Sequence, residues 1–400
     1  MKLLIVTPYF YPENFKVNDM AFELQRRGHQ VSVMTAIPNY PAGKFYKGFG
    51  LLKKRHEVMG GVKIYRSAVI PRHSGSSIWL ALNYLSYTFF ALFQSVRLGL
   101  TKKYDAIIVH EPSPILVGIP AVLVKKIQKI PLHFWVLDLW PESLSAAGGI
   151  SNKKILSLFD KLTKWIYRHC DTIMVGSRGF EQSICSKGDF KHKIVFFPNW
   201  VEEVLESPTD IKVPAFPDGF NIVSAGNMGD AQDLPAVMEA VLKLKGTDIN
   251  LNFIGDGRKK DYVETFIREN GLTGNVFCYG RYPLEAMPFF FKRADLLFFA
   301  LKDEAIFSLT VPSRLQAFMA SGKPVVAMIN GEGASTIADA DCGWSVPAGA
   351  SDALVELLLR LSKMEKAELQ QKGAKGKAYS LKHYNFKHCI DHLETIIQPK

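Results

Sequence analysis

Short apolar runs, most of them closed by Pro, Gly or Asn, recur along this chain and alternate with longer segments of helical periodicity. In the first half, such runs predict strands near 2–7, 30–35, 105–110, 132–137, 171–176 and 194–197. A helix is predicted near 17–28, where Arg26 and Arg27 and then Gly28 suit a helix C-terminus. A second series starts at Phe220–Gly226 and predicts strands near 220–226, 249–254, 275–279, 295–299 and 324–328. Short apolar runs of this kind are the pattern of parallel strands buried on both faces. Strands separated by helices of roughly 10–15 residues imply βαβ units. The expectation is an α/β chain of two Rossmann-like, doubly wound parallel-sheet lobes facing each other across a cleft. The first lobe is expected at 1–200, a Pro-rich linker at 201–219, and the second lobe at 220–385. An amphipathic helix near 386–398 is expected to pack back on the first lobe.

One apolar stretch departs from the strand pattern. Ile78–Leu100 approaches membrane-spanning length but carries Asn83, Gln94 and Arg97, which argue against a lipid-spanning helix. Two alternatives stand: a buried core helix, or a helix lying on a membrane, with Trp79, Tyr84 and Tyr87 suited to the interface. The charge changes the weight of the second. Residues 1–200 hold 27 Lys+Arg against 12 Asp+Glu, a net of +15, whereas 201–400 hold 22 against 26, a net of −4. A basic half beside a mildly acidic one points to a polyanionic partner for the first lobe only, such as an anionic membrane surface or a lipid phosphate. Nucleic acid fits poorly, because no recognisable module accompanies the basic clusters. The five Cys are scattered with no CxxC pair, which suits a reducing compartment and excludes a zinc ribbon.

The candidate chemistry lies where predicted strands end. His110-Glu111-Pro112 closes one run, and Asp138-Leu139-Trp140-Pro141-Glu142-Ser143 closes the next. In open α/β sheets ligands sit at the carboxyl ends of strands, so an imidazole and a carboxylate are expected at one rim. In the second lobe, Gly226-Asn227-Met228-Gly229 and Gly255-Asp256-Gly257-Arg258 each follow a strand, and Arg281 follows Tyr279-Gly280. Thr310-Val311-Pro312-Ser313-Arg314 marks a helix start, whose free N–H groups suit a diphosphate. Together these motifs predict a nucleotide site. Asp339-Ala340-Asp341 resembles a metal-binding pair but has no third carboxylate at suitable spacing.

In order and spacing these motifs, with Tyr11-Pro12-Glu13, Pro38-Asn39-Tyr40-Pro41, Pro198-Asn199 and Phe318-Met319-Ala320-Ser321-Gly322, make the chain similar to GT-B-fold retaining glycosyltransferases of family 4, of the bacterial fucosamine-transferase type. The resemblance implies transfer from a UDP-sugar, with an N-acetylated 6-deoxyhexose as one candidate, to a lipid-diphosphate-linked acceptor in surface polysaccharide synthesis. It implies retention, no metal and no other cofactor, and work as a peripheral protein on the cytoplasmic face of the membrane. It places His110 on the donor sugar and Asp138 and Glu142 as catalytic groups on the acceptor side. Gly226, Asn227, Gly229, Arg258, Arg281, Ser313 and Arg314 would hold the donor, and Glu13, Asn18 and Tyr40 would line the acceptor side. Two departures stand out. Leu309 and Ala317 occupy the positions where many members carry two Glu for sugar and ribose, and Asn227 and Gln232 align with a diphosphate-binding Arg and Lys. Glu304, Ser308 or backbone groups are the expected substitutes. A nucleotide-sugar-binding protein without turnover and a sugar-nucleotide epimerase are the rival functions.

Overall fold

A computed structural model describes residues 1–73, 76–146, 150–202 and 211–398. Contacts divide the chain into two compact units, one of residues 1–197 with 390–400, the other of residues 198–389. Residues 203–210 of the expected linker lie outside the described residues.

Unit 1 is built on strands β1 (Lys2–Val6), β2 (Gln30–Ala36), β3 (His56–Met59), β4 (Val62–Ser67), β5 (Ala106–Glu111), β6 (Leu132–Val136), β7 (Thr172–Val175) and β8 (Ile194–Phe196). Its helices are α1 (Lys16–Arg26), α2 (Ser77–Thr101), α3 (Gly118–Gln128), α4 (Glu142–Ala146), α5 (Lys153–His169) and α6 (Phe180–Ser186). The sheet order is β3-β4-β2-β1-β5-β6-β7-β8, parallel except for the β3–β4 hairpin. The apolar runs become strands because helices cover both faces; β5 and β6 are buried at every position. β3 and β4, like β14 (Gly343–Val346) of unit 2, are not among the expected strands. β3 is half exposed, charged residues interrupt the apolar run of β4, and the hairpin signal is the Gly60-Gly61 pair between them.

Unit 2 carries β9 (Phe220–Ala225), β10 (Ile249–Ile254), β11 (Val276–Cys278), β12 (Leu296–Ala300), β13 (Val325–Met328) and β14 (Gly343–Val346) in the all-parallel order β11-β10-β9-β12-β13-β14. Its helices are α7 (Leu234–Lys243), α8 (Lys260–Glu269), α9 (Met287–Arg293), α10 (Ala305–Ser308), α11 (Ser313–Ala320), α12 (Glu332–Asp339), α13 (Ser351–Leu361) and α14 (Lys366–His383). Neighbouring strand residues alternate faces: Ile222, Phe298 and Val326 enter one apolar cluster, and Val223, Phe299 and Val325 the other. The last helix, α15 (Phe386–Ile397), starts in unit 2 and ends in unit 1, where Glu394 bonds Arg27 and His29 of α1 and its C-cap loop.

Helix α2 corrects the buried-core alternative for 78–100. Its polar and small residues Asn83, Thr88, Gln94, Ser95 and Gly99 face the protein. Tyr87 and Leu98 are buried with them, but most of its large apolar residues face outward: Ile78, Leu82, Leu85, Phe89, Phe93, Val96 and Leu100 recur every three or four positions and form one exposed stripe. Ile78 is 74% exposed, Phe93 64% and Leu100 70%.

Candidate active site

In each unit the strand order reverses at one place, beside β1/β5 and β9/β12. Crevices form at such switch points outside the carboxyl ends of the strands. The expected motifs of each unit cluster there.

In unit 1, Thr7 follows β1 and His110 lies near the end of β5; Thr7 Oγ1 and His110 Nδ1 are 3.0 Å apart. The Thr7 hydroxyl also donates to the Tyr9 carbonyl at 3.1 Å. That makes Oγ1 the acceptor for an Nδ1–H and leaves the lone pair on Nε2. His110 is buried, and burial pushes its pKa down to about 3, so the ring is neutral at pH 7. Trp135 packs edge-on against it from β6, the neighbouring strand. The predicted juxtaposition of imidazole and carboxylate rests on that pairing, since Asp138 lies just beyond β6.

Asp138 accepts from the Ser143 hydroxyl and from Trp140 Nε1 (3.2 Å), while burial raises its pKa. Glu142 turns elsewhere: its Oε1 accepts from Ser183 Oγ and Lys187 Nζ, both at 2.7 Å, tying α4 to α6 and the residue that follows it. Glu111 was quoted in the motif without a role. It is fully buried, and desolvation together with the Asp138 charge holds its carboxyl well above the usual range.

Glu13, Asn18 and Tyr40 meet at one place. Glu13 Oε1 accepts from Asn39 N (2.8 Å) and Tyr40 N (2.7 Å), and Asn18 Nδ2 donates to Glu13 O (2.7 Å). Burial, opposed by these backbone bonds, raises Glu13 to about 7. Glu13 and Asn18 therefore shape the loop, and Tyr40 presents its ring at the surface beside Tyr9 and Phe15.

In unit 2 a cavity of about 660 Å³ opens beside the ends of β9 and β10. Its lining includes Gly226, Asn227, Arg281, Ser313 and Arg314, five of the seven expected donor residues. Gly226 has φ +120°, a conformation that favours glycine, and lies under Arg314; a Cβ there would sit 2.8 Å from Arg314 Nε and displace the guanidinium. Gly226 N donates to Ile254 O, and Met228 N to Asp256 O, which clasps the two glycine turns together. The Arg314 guanidinium bonds the Asn227 carbonyl, and burial lowers its pKa to about 10, still a cation at pH 7. Among the described residues no carboxylate pairs with it. With the N-terminus of α11, this builds an anion site.

Arg258 is exposed and does not line the cavity, nor does Gly229, whose N–H goes to Gln232 Oε1 (2.9 Å). Glu304 and Ser308, expected substitutes for the missing acids, do not line it either. The lining also includes the apolar and aromatic residues Tyr282, Leu284, Met287 and Phe291, and Glu202 and Ala317, none of them marked by a local motif for the nucleotide except Ala317. Asp341 is bonded to Lys372 and Lys375 and held down at about 2. It is a helix tie, and among the described residues no acid or His cluster suits a metal ion.

Residues 15–200 match the glycosyl transferase 4-like domain, and residues 207–377 match the glycosyl transferases group 1 domain. WbjE of Pseudomonas aeruginosa, named for glycosyl transfer, is 28% identical over 59% of this chain, a match that spans 61% of WbjE's own length. WcaI of Escherichia coli K12, named for colanic acid biosynthesis, is 25% identical over 80% of this chain and 82% of its own. The Anabaena protein Alr3699/HepE, solved with UDP, superposes with a TM-score of 0.71 at 13% identity over 99% of both chains. With family domains matched in both halves, two parallel α/β units and this fold, the chain belongs to the group 1, GT4-like glycosyltransferases of GT-B architecture.

Proposed function

We propose that this chain transfers a sugar from a UDP-sugar to a lipid-diphosphate-linked acceptor in surface polysaccharide synthesis, with retention and without a metal ion. The observation that carries this is the cavity of unit 2. Its lining combines cations (Arg281, Arg314, the start of α11) with the aromatic side chains Tyr282 and Phe291, which suits a nucleoside diphosphate. HepE, solved with UDP and with UDP-glucose, supports uracil as the base. Arg314 and the helix end would stabilise the leaving diphosphate, the role a metal serves elsewhere. His110, neutral and fixed by Thr7, would present Nε2 toward the donor sugar, where positive charge develops. Asp138, with its raised pKa, would take the acceptor proton. An N-acetylated 6-deoxyhexose is the candidate sugar.

The outward stripe of α2 supports a peripheral place on the cytoplasmic face of the membrane. Lys102 and Lys103 follow the helix, and Leu51 and Leu52, both exposed, precede Lys53-Lys54-Arg55. No helix among the described residues is long and apolar enough to cross a membrane. Ala317 on the cavity wall favours a second function, nucleotide-sugar binding without turnover. One experiment separates the two. Calorimetry with UDP, GDP and ADP is followed by incubation with UDP-sugars and membrane extract, reading released UDP, labelled lipid and the anomeric configuration of the product. Selective UDP binding with retained-configuration product is expected. UDP binding without release in any donor–acceptor pair establishes the second function, and no UDP binding overturns both.

A further inference from the structure

Of the buried or half-buried arginines in unit 1, Arg66 and Arg27 are matched with acids, and Arg55 bonds the Arg66 and Leu51 carbonyls. Arg66 pairs with Glu57 at 2.6 Å, and Arg27 reaches Glu23, Asp391 and Glu394. Arg72 is held differently. Its guanidinium carbon lies 5.1 Å from the ring centres of Tyr9 and Tyr40 and 5.3 Å from that of Tyr84. Its Nη2 donates to the Tyr9 hydroxyl and to the Tyr84 hydroxyl (3.3 Å). Three aromatic faces and two hydroxyls fix the cation without neutralising it. Among the described residues no carboxylate pairs with Arg72, and its Nε is buried with no acceptor. A fixed, uncompensated guanidinium is a receptor for a multivalent oxyanion.

Its position says which one. Tyr9 stacks on Phe15 at 4.7 Å, and Phe15 packs edge-on to His110. Two aromatic rings, Tyr9 and Phe15, thus separate Arg72 from the imidazole. On its other side the chain leads to α2. Asn83 of that helix bonds Ile70 O (2.6 Å) and Asn39 Oδ1 (3.2 Å), and Tyr87 bonds Thr7 O (3.1 Å), so the helix is bolted to the rim. Trp79 packs on His73 at 4.3 Å where the exposed stripe begins. A ligand with an apolar tail on the stripe and its charge at Arg72 reaches the His110 rim with its head.

We propose that Arg72, in its cage of Tyr9, Tyr40 and Tyr84, binds the diphosphate of the acceptor lipid and sets the acceptor's depth at the rim. This rests on the lipid-diphosphate acceptor proposed above. It is a binding role, separate from the reacting atoms.

The test uses the full chain with farnesyl diphosphate as probe, farnesol and inorganic pyrophosphate as its two halves, phosphatidylglycerol vesicles for headgroup binding, and UDP for unit 2. Arg72→Gln is expected to weaken farnesyl diphosphate binding at least tenfold, with UDP and vesicle binding within twofold of wild type. Arg72→Lys, which keeps charge but loses the planar cage, and Tyr84→Phe, which removes only a hydroxyl, are expected to fall between and to guard against a folding defect. Equal farnesyl diphosphate binding by Arg72→Gln and wild type overturns the proposal. So does a wild type that binds UDP and vesicles but no farnesyl diphosphate. Loss of vesicle binding in parallel with the probe would assign Arg72 to lipid headgroups and overturn it as well. Failure of wild type to bind UDP would instead remove the transferase function itself.

Discussion

The rims of the two units are made of different materials. Unit 2 presents backbone: glycine turns after β9 and β10 and the start of α11, with one arginine laid over Gly226. Unit 1 presents buried ionisable side chains: His110 near 3, Glu13 near 7, and Glu111 and Asp138 raised. A backbone rim offers a constant charge at any ordinary pH and suits an anion. A rim of desolvated acids and a neutral imidazole has protonation states set by burial, and suits proton handling. The comparison teaches that a rim of backbone and a rim of buried side chains suit different chemistry, the first an anion and the second the handling of protons.

The sharpest way to break the contrast is to put a side chain into the backbone rim. Gly226→Val adds a Cβ against Arg314 at a positive φ that β-branched residues avoid. We expect UDP binding to vanish in calorimetry, with thermal stability reduced by roughly 1–3 kcal/mol. Arg314→Ala should weaken UDP by a factor of roughly 10–100. In unit 1, His110→Ala should leave UDP affinity unchanged and lower kcat about 10²–10³-fold. A matching loss of UDP affinity in His110→Ala would erase the proposed division of labour.

The same difference explains what was legible in the chain. Glycines after an apolar run and Pro-Ser-Arg at a helix start are local signals, and the structure brings Gly226, Asn227, Ser313 and Arg314 to one cavity. Most strands were legible for the same reason, since a doubly covered strand writes its burial into consecutive residues; β3, β4 and β14 were not. Networks of side chains are not local. Glu142 reads as a rim acid by its place after β6, yet Lys187 and Ser183, far along the chain, turn it into a tie. Arg258 follows a glycine turn and points out. The outward stripe of α2 was hidden because an apolar helix has the same composition whichever face is buried; Asn83 and Gln94 inside are the only hint.

Titration offers a finer test. Glu13 has a folded pKa near 7 against a reference of 4.5. Between those values the folded chain binds more protons than the unfolded one, so this group's stabilisation is present below pH 4.5 and is lost as pH rises through 7. At about 1.4 kcal/mol per unit the span is roughly 3 kcal/mol. His110 acts oppositely: its folded pKa near 3 lies below the usual 6.5, so its contribution is present above 6.5 and falls away as pH drops toward 3. The two overlap between 4.5 and 6.5 and partly cancel in the wild type. Glu13→Gln should therefore steepen the loss of stability on acidification, read as urea midpoints from pH 4.5 to 7. Superimposable pH profiles for variant and wild type would show that Glu13 is not the buried proton carrier.

The smallest effect tests whether unit 2 carries any side-chain acid of its own. Gln316 Nε2 bonds Asn199 O (3.1 Å) and Val201 N bonds Tyr384 O (2.9 Å), which anchors the segment 199–202 beside α11. The segment brings Glu202 to the cavity wall that Ala317 leaves short of an acid. A carboxylate at that place suits the ribose diol, as acids do in dinucleotide folds. Wild type should then prefer UDP to 2′-deoxy-UDP, and Glu202→Gln should cut that preference by about 1 kcal/mol, the value of one hydrogen bond. Should the preference survive in Glu202→Gln and in Glu202→Ala alike, the ribose is held by backbone, and unit 2 is a backbone site throughout.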